Sequence, residues 1–186
     1  MRQTYCVVVL LAFALSFFLV NLARAEEKGR GCDCGTVDFH TGVDLNAPAG
    51  TPIQAEDDGV VVKVEGNEQA AVYSSTGGFC GRYIVLRHDY KNGRSVFTRY
   101  AQLGAIADKQ GRGIKEGQKI KAGERIGTIG KAGLLHFEVR PVASKPNTET
   151  SLLYKDDPTM AWTKYQPVNP DDFDFDRYAG RQPKKQ

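Results

Sequence analysis

The sequence predicts an all-β fold, an antiparallel sandwich or barrel-like sheet with short loops and a C-terminal extension. Short runs rich in β-branched and aromatic residues recur at close spacing: Gly59 to Val64, Arg82 to His88, Ser95 to Tyr100 and Leu135 to Arg140. A turn at Asn92-Gly93 and the glycines Gly117, Gly123, Gly127 and Gly130 punctuate them. No sustained helical period appears before Ser144.

Residues 1–25 stand outside this domain. Arg2 gives a short basic start, Val7 to Val20 is an apolar run, and Ala23-Arg24-Ala25 is a small-x-small cleavage site. The segment reads as a secretory signal peptide cut after Ala25. The competing reading is an uncleaved anchor, because the run from Tyr5 to Ala23 approaches spanning length. Cleavage leaves no stable membrane span. Cys6 lies ahead of the apolar run, so it is not placed to carry a lipid at the cut.

Residues 26–36 (EEKGRGCDCGT) form a charged, glycine-rich, flexible lead-in, and the domain proper is expected over 37–143. Thr51 to Ala55 and Gly59 to Val64 are two strands joined by the tight turn Glu56-Asp57-Asp58-Gly59, where the aspartates serve as turn residues. Arg82 to His88 pairs with Ser95 to Tyr100 across a turn containing Asn92-Gly93. Ile114 to Gly130 holds short alternating pieces. In the last strand Leu135, Phe137 and Val139 share one face, and His136, Glu138 and Arg140 share the other. Residues 144–186 form the extension: a polar surface excursion of low order to Lys164, a docking turn at Pro167-Val168-Asn169-Pro170, and a tail. In the tail, Asp171 to Asp176 alternate Asp with Phe as a solvated edge whose rings tuck against the body. The final basic residues are expected to be disordered. There is no internal repeat.

A chain of 186 residues with 41% hydrophobic content has material for one domain and its core. Cleavage removes Arg2 and Arg24 and no acid, so the formal charge falls from +3 to +1. No basic run interleaved with aromatics occurs, so nucleic acid is excluded as a partner. Cys32, Cys34 and Cys80 remain after cleavage, an odd count in an oxidising compartment. A bridge from Cys80 to Cys32 or Cys34 pins the lead-in to the body. A Cys32–Cys34 ring is strained by its short loop, and a cysteine metal site is the weaker alternative.

The chemistry concentrates in His40-Thr41-Gly42-Val43-Asp44. A histidine and a carboxylate four residues apart can face one ion, and His136 offers a third ligand from the far end of the domain. Three N/O ligands with an open fourth position suit a catalytic zinc. His88, inside a strand, reads as structural.

Several stretches in combination resemble the lysostaphin/LytM family of zinc endopeptidases, which cut peptide cross-links in peptidoglycan. They are FHTGVDLNAPAGTPIQAEDDGVV, IVLRHDY, TRYAQL, IKEGQKIKAGERIGTIG and LHFEV. The resemblance runs from about Phe39 to Arg140, with an echo at Val168-Asn169-Pro170. It implies a LytM-type fold, one Zn2+ ion, and metal ligands at His40, Asp44 and His136.

Two departures stand out. Where the family reads Tyr-x-His-Leu, this chain has Tyr100-Ala101-Gln102-Leu103, and where it reads His-x-His-Phe-Glu, this chain has Leu134-Leu135-His136-Phe137-Glu138. Both lost imidazoles are the ones the family uses beside the metal. Only Lys131 to Leu135 separate Gly130 from His136, which trims one wall of the groove. Gln102 can donate to an oxyanion but cannot take a proton near neutral pH, and Leu134 can do neither. Glu138 is the conceivable substitute base. A positioned acid–base contributes about 10²–10⁴-fold, so its loss weighs more heavily than the retained ligands.

The resemblance therefore implies an exported protein of the bacterial periplasm or cell envelope that binds zinc, with hydrolysis lost or reduced. It would hold peptidoglycan peptide or regulate a separate cell-wall hydrolase. The alternative is a working zinc endopeptidase that uses Gln102 and Glu138. A third and weaker reading is a secreted protein on this scaffold that acts on something other than peptidoglycan.

Overall fold

A computed structural model of the chain describes residues 42–68, 81–142 and 158–182. The expected signal peptide, the lead-in, Cys32, Cys34, Cys80 and His40 lie outside the described residues, as do residues 144–157 of the excursion and the final basic residues 183–186. Among the described residues no helix is long and apolar enough to cross a membrane.

Eight strands make one antiparallel sheet: β1 Val43–Asn46, β2 Pro52–Gln54, β3 Gly59–Glu65, β4 Arg82–Asp89, β5 Ser95–Ala105, β6 Lys119–Ile120, β7 Arg125–Ile129 and β8 Leu134–Pro141. The order is β1-β8-β5-β4-β3-β6, with β7 beside β5 and β2 beside β7. All pairings are antiparallel, as the alternation in the sequence predicts.

The β4–β5 hairpin is the spine. Its ladder runs from Asp89↔Ser95 to Tyr83↔Ala101 and closes through Gly93, whose φ of 79° suits glycine. Along β4, Ile84 and Leu86 enter one core while Tyr83 and Val85 enter another on the opposite face. The first core draws on β2 through β8, with Ile53, Val61, Tyr100, Leu103, Ile120, Ile126, Ile129 and Leu135. A single sheet fills that core because it curls over, with β5 pairing β8 along its first half and β7 at its end.

The second core is Tyr83, Val85, Phe97, Ala101 and Trp162. Trp162 lies in a 3-10 segment, Pro158–Lys164, within the stretch expected to be a polar surface excursion. That expectation does not hold for its end: Trp162 and Thr163 are buried, with the indole on the sheet. Val168 then bridges Val139, its N–H donating to the Val139 carbonyl at 2.9 Å, and Asn169 caps the turn that follows. The docking turn is thus a real anchor on β8.

A short helix, α1 (Phe175–Ala179), is capped by Asp174 and ends at Gly180 in the left-handed region. Phe173, Phe175 and Tyr178 pack among one another and against His88 and Tyr90. The next residue, Arg181, clamps Asp57 with two hydrogen bonds of 2.9 and 2.7 Å. Asp57 is therefore more than a turn residue. It is buried, and the Tyr90 hydroxyl also donates to it at 3.1 Å.

Candidate functional site

The site starts from strand pairing. Asp44 on the edge strand β1 stands directly opposite His136 on β8. Residues opposite one another in an antiparallel pair project their side chains to the same face. Here the Asp44 Oδ1 and His136 Nδ1 atoms come within 2.8 Å. Gly42 makes the approach possible. A Cβ at that position would lie 2.1 Å from the Phe137 carbonyl oxygen and 3.0 Å from the Glu138 side chain. The turn can reach β8 only without a side chain there.

The other nitrogen of His136, Nε2, meets Glu138 Oε1 at 3.1 Å. Both residues are fully buried. Glu138 is held in turn by Arg99 Nη1 at 2.5 Å on Oε1, and by Arg140 Nε at 2.8 Å on Oε2. The register explains this cluster. Arg99 pairs with Glu138 across β5–β8, and Arg140 follows Glu138 by two on the same face. Burial by itself raises the Glu138 carboxyl, but Arg140, Arg99 and the His136 contact hold it well below the ordinary carboxylate range. Burial disfavours a charged His136 ring, yet the bonds to Asp44 and Glu138 carry its pKa above the usual histidine value.

An ionised Glu138 accepts at Nε2–H and turns Nδ1 toward Asp44. A carboxylate behind an imidazole is the arrangement that orients metal-binding histidines. With the Asp44 carboxylate beside Nδ1, the donor set fits zinc. The third ligand implied by the resemblance, His40, lies outside the described residues. Among the described residues no group of three or more His, Cys, Asp or Glu side chains converges as a metal cluster.

The replaced positions flank this pair. Gln102 is the bulged residue between Ala101 and Leu103, where the β4–β5 ladder slips, and it takes φ 65°. It is the only non-glycine residue with positive φ among the described residues. Its carbonyl accepts the Gly130 N–H at 3.0 Å, and a Cβ on Gly130 would strike that oxygen at 2.6 Å. Leu134 precedes His136 by two on the same face of β8, half-buried opposite Asn46.

Glu138 does not act as a substitute base. Both its oxygens already accept from guanidinium groups, and it is buried and acidic. His88 is structural, as expected. Its Nδ1–H donates to the Asp58 carbonyl at 2.8 Å, and Nε2 accepts from the Thr98 hydroxyl at 2.8 Å. Burial lowers its pKa.

The sequence reading missed Arg99 and Trp162. Arg99 had a signal, a cation alone inside the apolar run Val96 to Ala101. Trp162 had only a weak one, the short apolar piece Met160-Ala161-Trp162 inside an otherwise polar stretch.

A family model described as Peptidase family M23 matches residues 38–149. Among curated proteins, the peptidoglycan DD-endopeptidase ShyC of Vibrio cholerae is 36% identical over 121 residues, covering 61% of this chain and 23% of that protein. The DD-carboxypeptidase/endopeptidase Mpg of Neisseria meningitidis is 35% identical over 107 residues, covering 55% of this chain and 20% of that protein. The chain thus spans less than a quarter of the length of these relatives. Among solved structures, the catalytic domain of the prophage-encoded M23 protein EnpA from Enterococcus faecalis aligns with a TM-score of 0.47 and 26% identity. That alignment covers 74% of this chain and 80% of that one.

Proposed function

The chain belongs to peptidase family M23, and from that premise we propose that it is an exported protein of the bacterial cell envelope that binds zinc and peptidoglycan peptide. Amide hydrolysis is lost or much reduced, and regulating a separate wall hydrolase is the second part of the proposed role. His40, Asp44 and His136 would hold the ion. Zinc, where bound, supplies Lewis-acid polarisation of a carbonyl and acidifies a water to a pKa of about 7.

The chain's own residues do the rest. Asp44 and His136 supply an oxygen and a nitrogen donor from facing strands, and Glu138 fixes the His136 ring by accepting at Nε2. Gln102 offers an amide donor for an oxyanion. Among the described residues proton transfer has no owner: Gln102 and Leu134 lack a basic atom, and Glu138 is spent on two arginines. That is the observation on which the reading rests.

A second reading, a working peptidoglycan endopeptidase, is favoured by the buried, fully supported His136 and by relatives named as endopeptidases. One experiment separates the two. Purified protein is assayed for zinc content and for release of soluble fragments from isolated cell wall. About one zinc per chain, with release about 10²-fold or more below an M23 enzyme that has both imidazoles, supports the proposal. Release at comparable rates, abolished by His136→Ala, establishes the second reading instead.

A further inference from the structure

We infer that Trp162 is a positioning residue for His136, acting through Arg99, Arg140 and Glu138; the inference rests on the zinc reading above. The indole reaches the sheet from the C-terminal extension, 26 positions beyond His136 in numbering, and lies fully buried on the face that carries His136 and Glu138.

Its contacts are specific. The Arg140 guanidinium carbon lies 5.2 Å from the Trp162 ring centroid, and that of Arg99 lies 5.5 Å from it. Arg99 also sits 4.8 Å from the Tyr83 ring, which meets Trp162 edge-on at 6.3 Å. A guanidinium over an aromatic face is held by the negative face of the ring, and more strongly where water is excluded.

Arg99 depends on those rings more than an ordinary ion-paired arginine does. Its Nη1 bonds Glu138, while Nε and Nη2 are buried and make no hydrogen bond among the described residues. One hydrogen bond cannot fix a planar fork with four rotatable bonds behind it. The two rings supply the missing constraint. Arg140 has other supports, a second hydrogen bond from Nη1 to the Tyr165 carbonyl at 2.8 Å among them. That carbonyl belongs to the same extension, so this stretch of the chain holds both arginines.

The consequence passes along a short line of contacts. Arg99 and Arg140 occupy both oxygens of Glu138 and so fix its plane. Glu138 then accepts at His136 Nε2, leaving Nδ1 aimed at Asp44. Groups behind a metal-bound histidine typically change metal affinity by about 10–100-fold when altered. Support for this site therefore comes also from the extension, through Arg99 and Arg140, and not from the sheet alone.

The test compares zinc affinity, measured by competition with a chromophoric chelator, in the full chain and in two variants. Trp162→Leu keeps apolar bulk without a π face, and Trp162→Phe keeps a π face with less bulk. The expected result is zinc affinity about tenfold weaker in Trp162→Leu and within about threefold of the parent in Trp162→Phe. A control substitution in the first core, Ile120→Val, should lower the melting temperature without moving zinc affinity. Equal affinity in all variants overturns the inference. So does equal weakening in the two Trp162 variants, or weakening that follows melting temperature across the control. If the parent chain itself binds no zinc, the functional reading fails first, and the two failures stay distinct.

Discussion

Asp44 and His136 face each other across the β1–β8 ladder, with Oδ1 and Nδ1 2.8 Å apart. Two donors that meet in this way make a ligand pair only if both are needed. Single substitutions Asp44→Ala and His136→Ala are each expected to lower bound zinc to background in equilibrium dialysis, with His40→Ala doing the same. Stoichiometric zinc in any of the three removes that residue from the ligand set.

Glu138→Gln keeps the shape of the side chain and removes its charge. Two buried guanidiniums then lose their counter-charge, and breaking a buried ion pair from one side costs about 3–5 kcal/mol. Urea unfolding of the metal-free variant is the measurement. A loss under about 1 kcal/mol shows that the cluster tolerates an uncharged acceptor.

Arg181→Ala strips Asp57 of its bidentate partner. Asp57 is buried, while the arginine is 44% exposed in its side chain, so solvent screens part of the pair. The expected cost is about 1–3 kcal/mol, set by a buried carboxylate left with fewer donors. Asp57→Asn combined with Arg181→Ala should recover part of it in chemical denaturation. An additive double variant rules out direct coupling.

Acid should weaken the fold by way of two groups. Burial depresses the His88 pKa below 6.5, so the unfolded chain takes up a proton first as pH falls, and stability is lost from about 6.5 downward. Asp57 adds a second loss below its unfolded value of 3.8. Burial raises its carboxyl, but Arg181, the Asp58 N–H and Tyr90 bring it lower than that value. His136 has the opposite sign: its raised pKa favours the folded state below 6.5 and that gain fades as pH rises. The diagnostic is therefore a difference. Between pH 5 and pH 7, melting of the parent should rise more steeply with pH than melting of His88→Gln. Identical slopes would falsify the assignment of His88 as a buried neutral imidazole.

Restoring the absent imidazoles should restore chemistry. Gln102→His with Leu134→His is expected to raise wall-fragment release by about 10²-fold or more over the parent, as a positioned acid–base provides. An unchanged rate in a folded, zinc-loaded double variant places the defect elsewhere, in the shortened connection from Gly130 to His136.

The strands were legible because they follow from local rules, whereas the meeting of Asp44 with His136, 92 positions away, was expected only from the family resemblance. Alternation along β8 sorted His136, Glu138 and Arg140 to one face, and turn residues marked the hairpin. Three features were not legible, each for a physical reason. The bulge that gives Gln102 its left-handed backbone depends on register against three neighbouring strands, which no window of sequence contains. Trp162 closes a three-residue apolar piece, Met160-Ala161-Trp162, too short to show a period, so its burial depends on a partner surface far along the chain. Arg181 bonds Asp57 across 124 positions, and a basic residue near the end of a chain has the same composition whether docked or solvated.

Asp44 and His136 do not belong to equally secure parts of the molecule. Among the described residues β1 is an edge strand of four residues, joined on one side only, while β8 is pinned between β1 and the eleven-residue β5. Amide protons of Phe97 to Ala101 should exchange last and those of Val43 to Asn46 early. Were a cation held between Asp44 and His136, its capture would also zip the border of the sheet, because it would tie this short outer strand to one fixed on both sides.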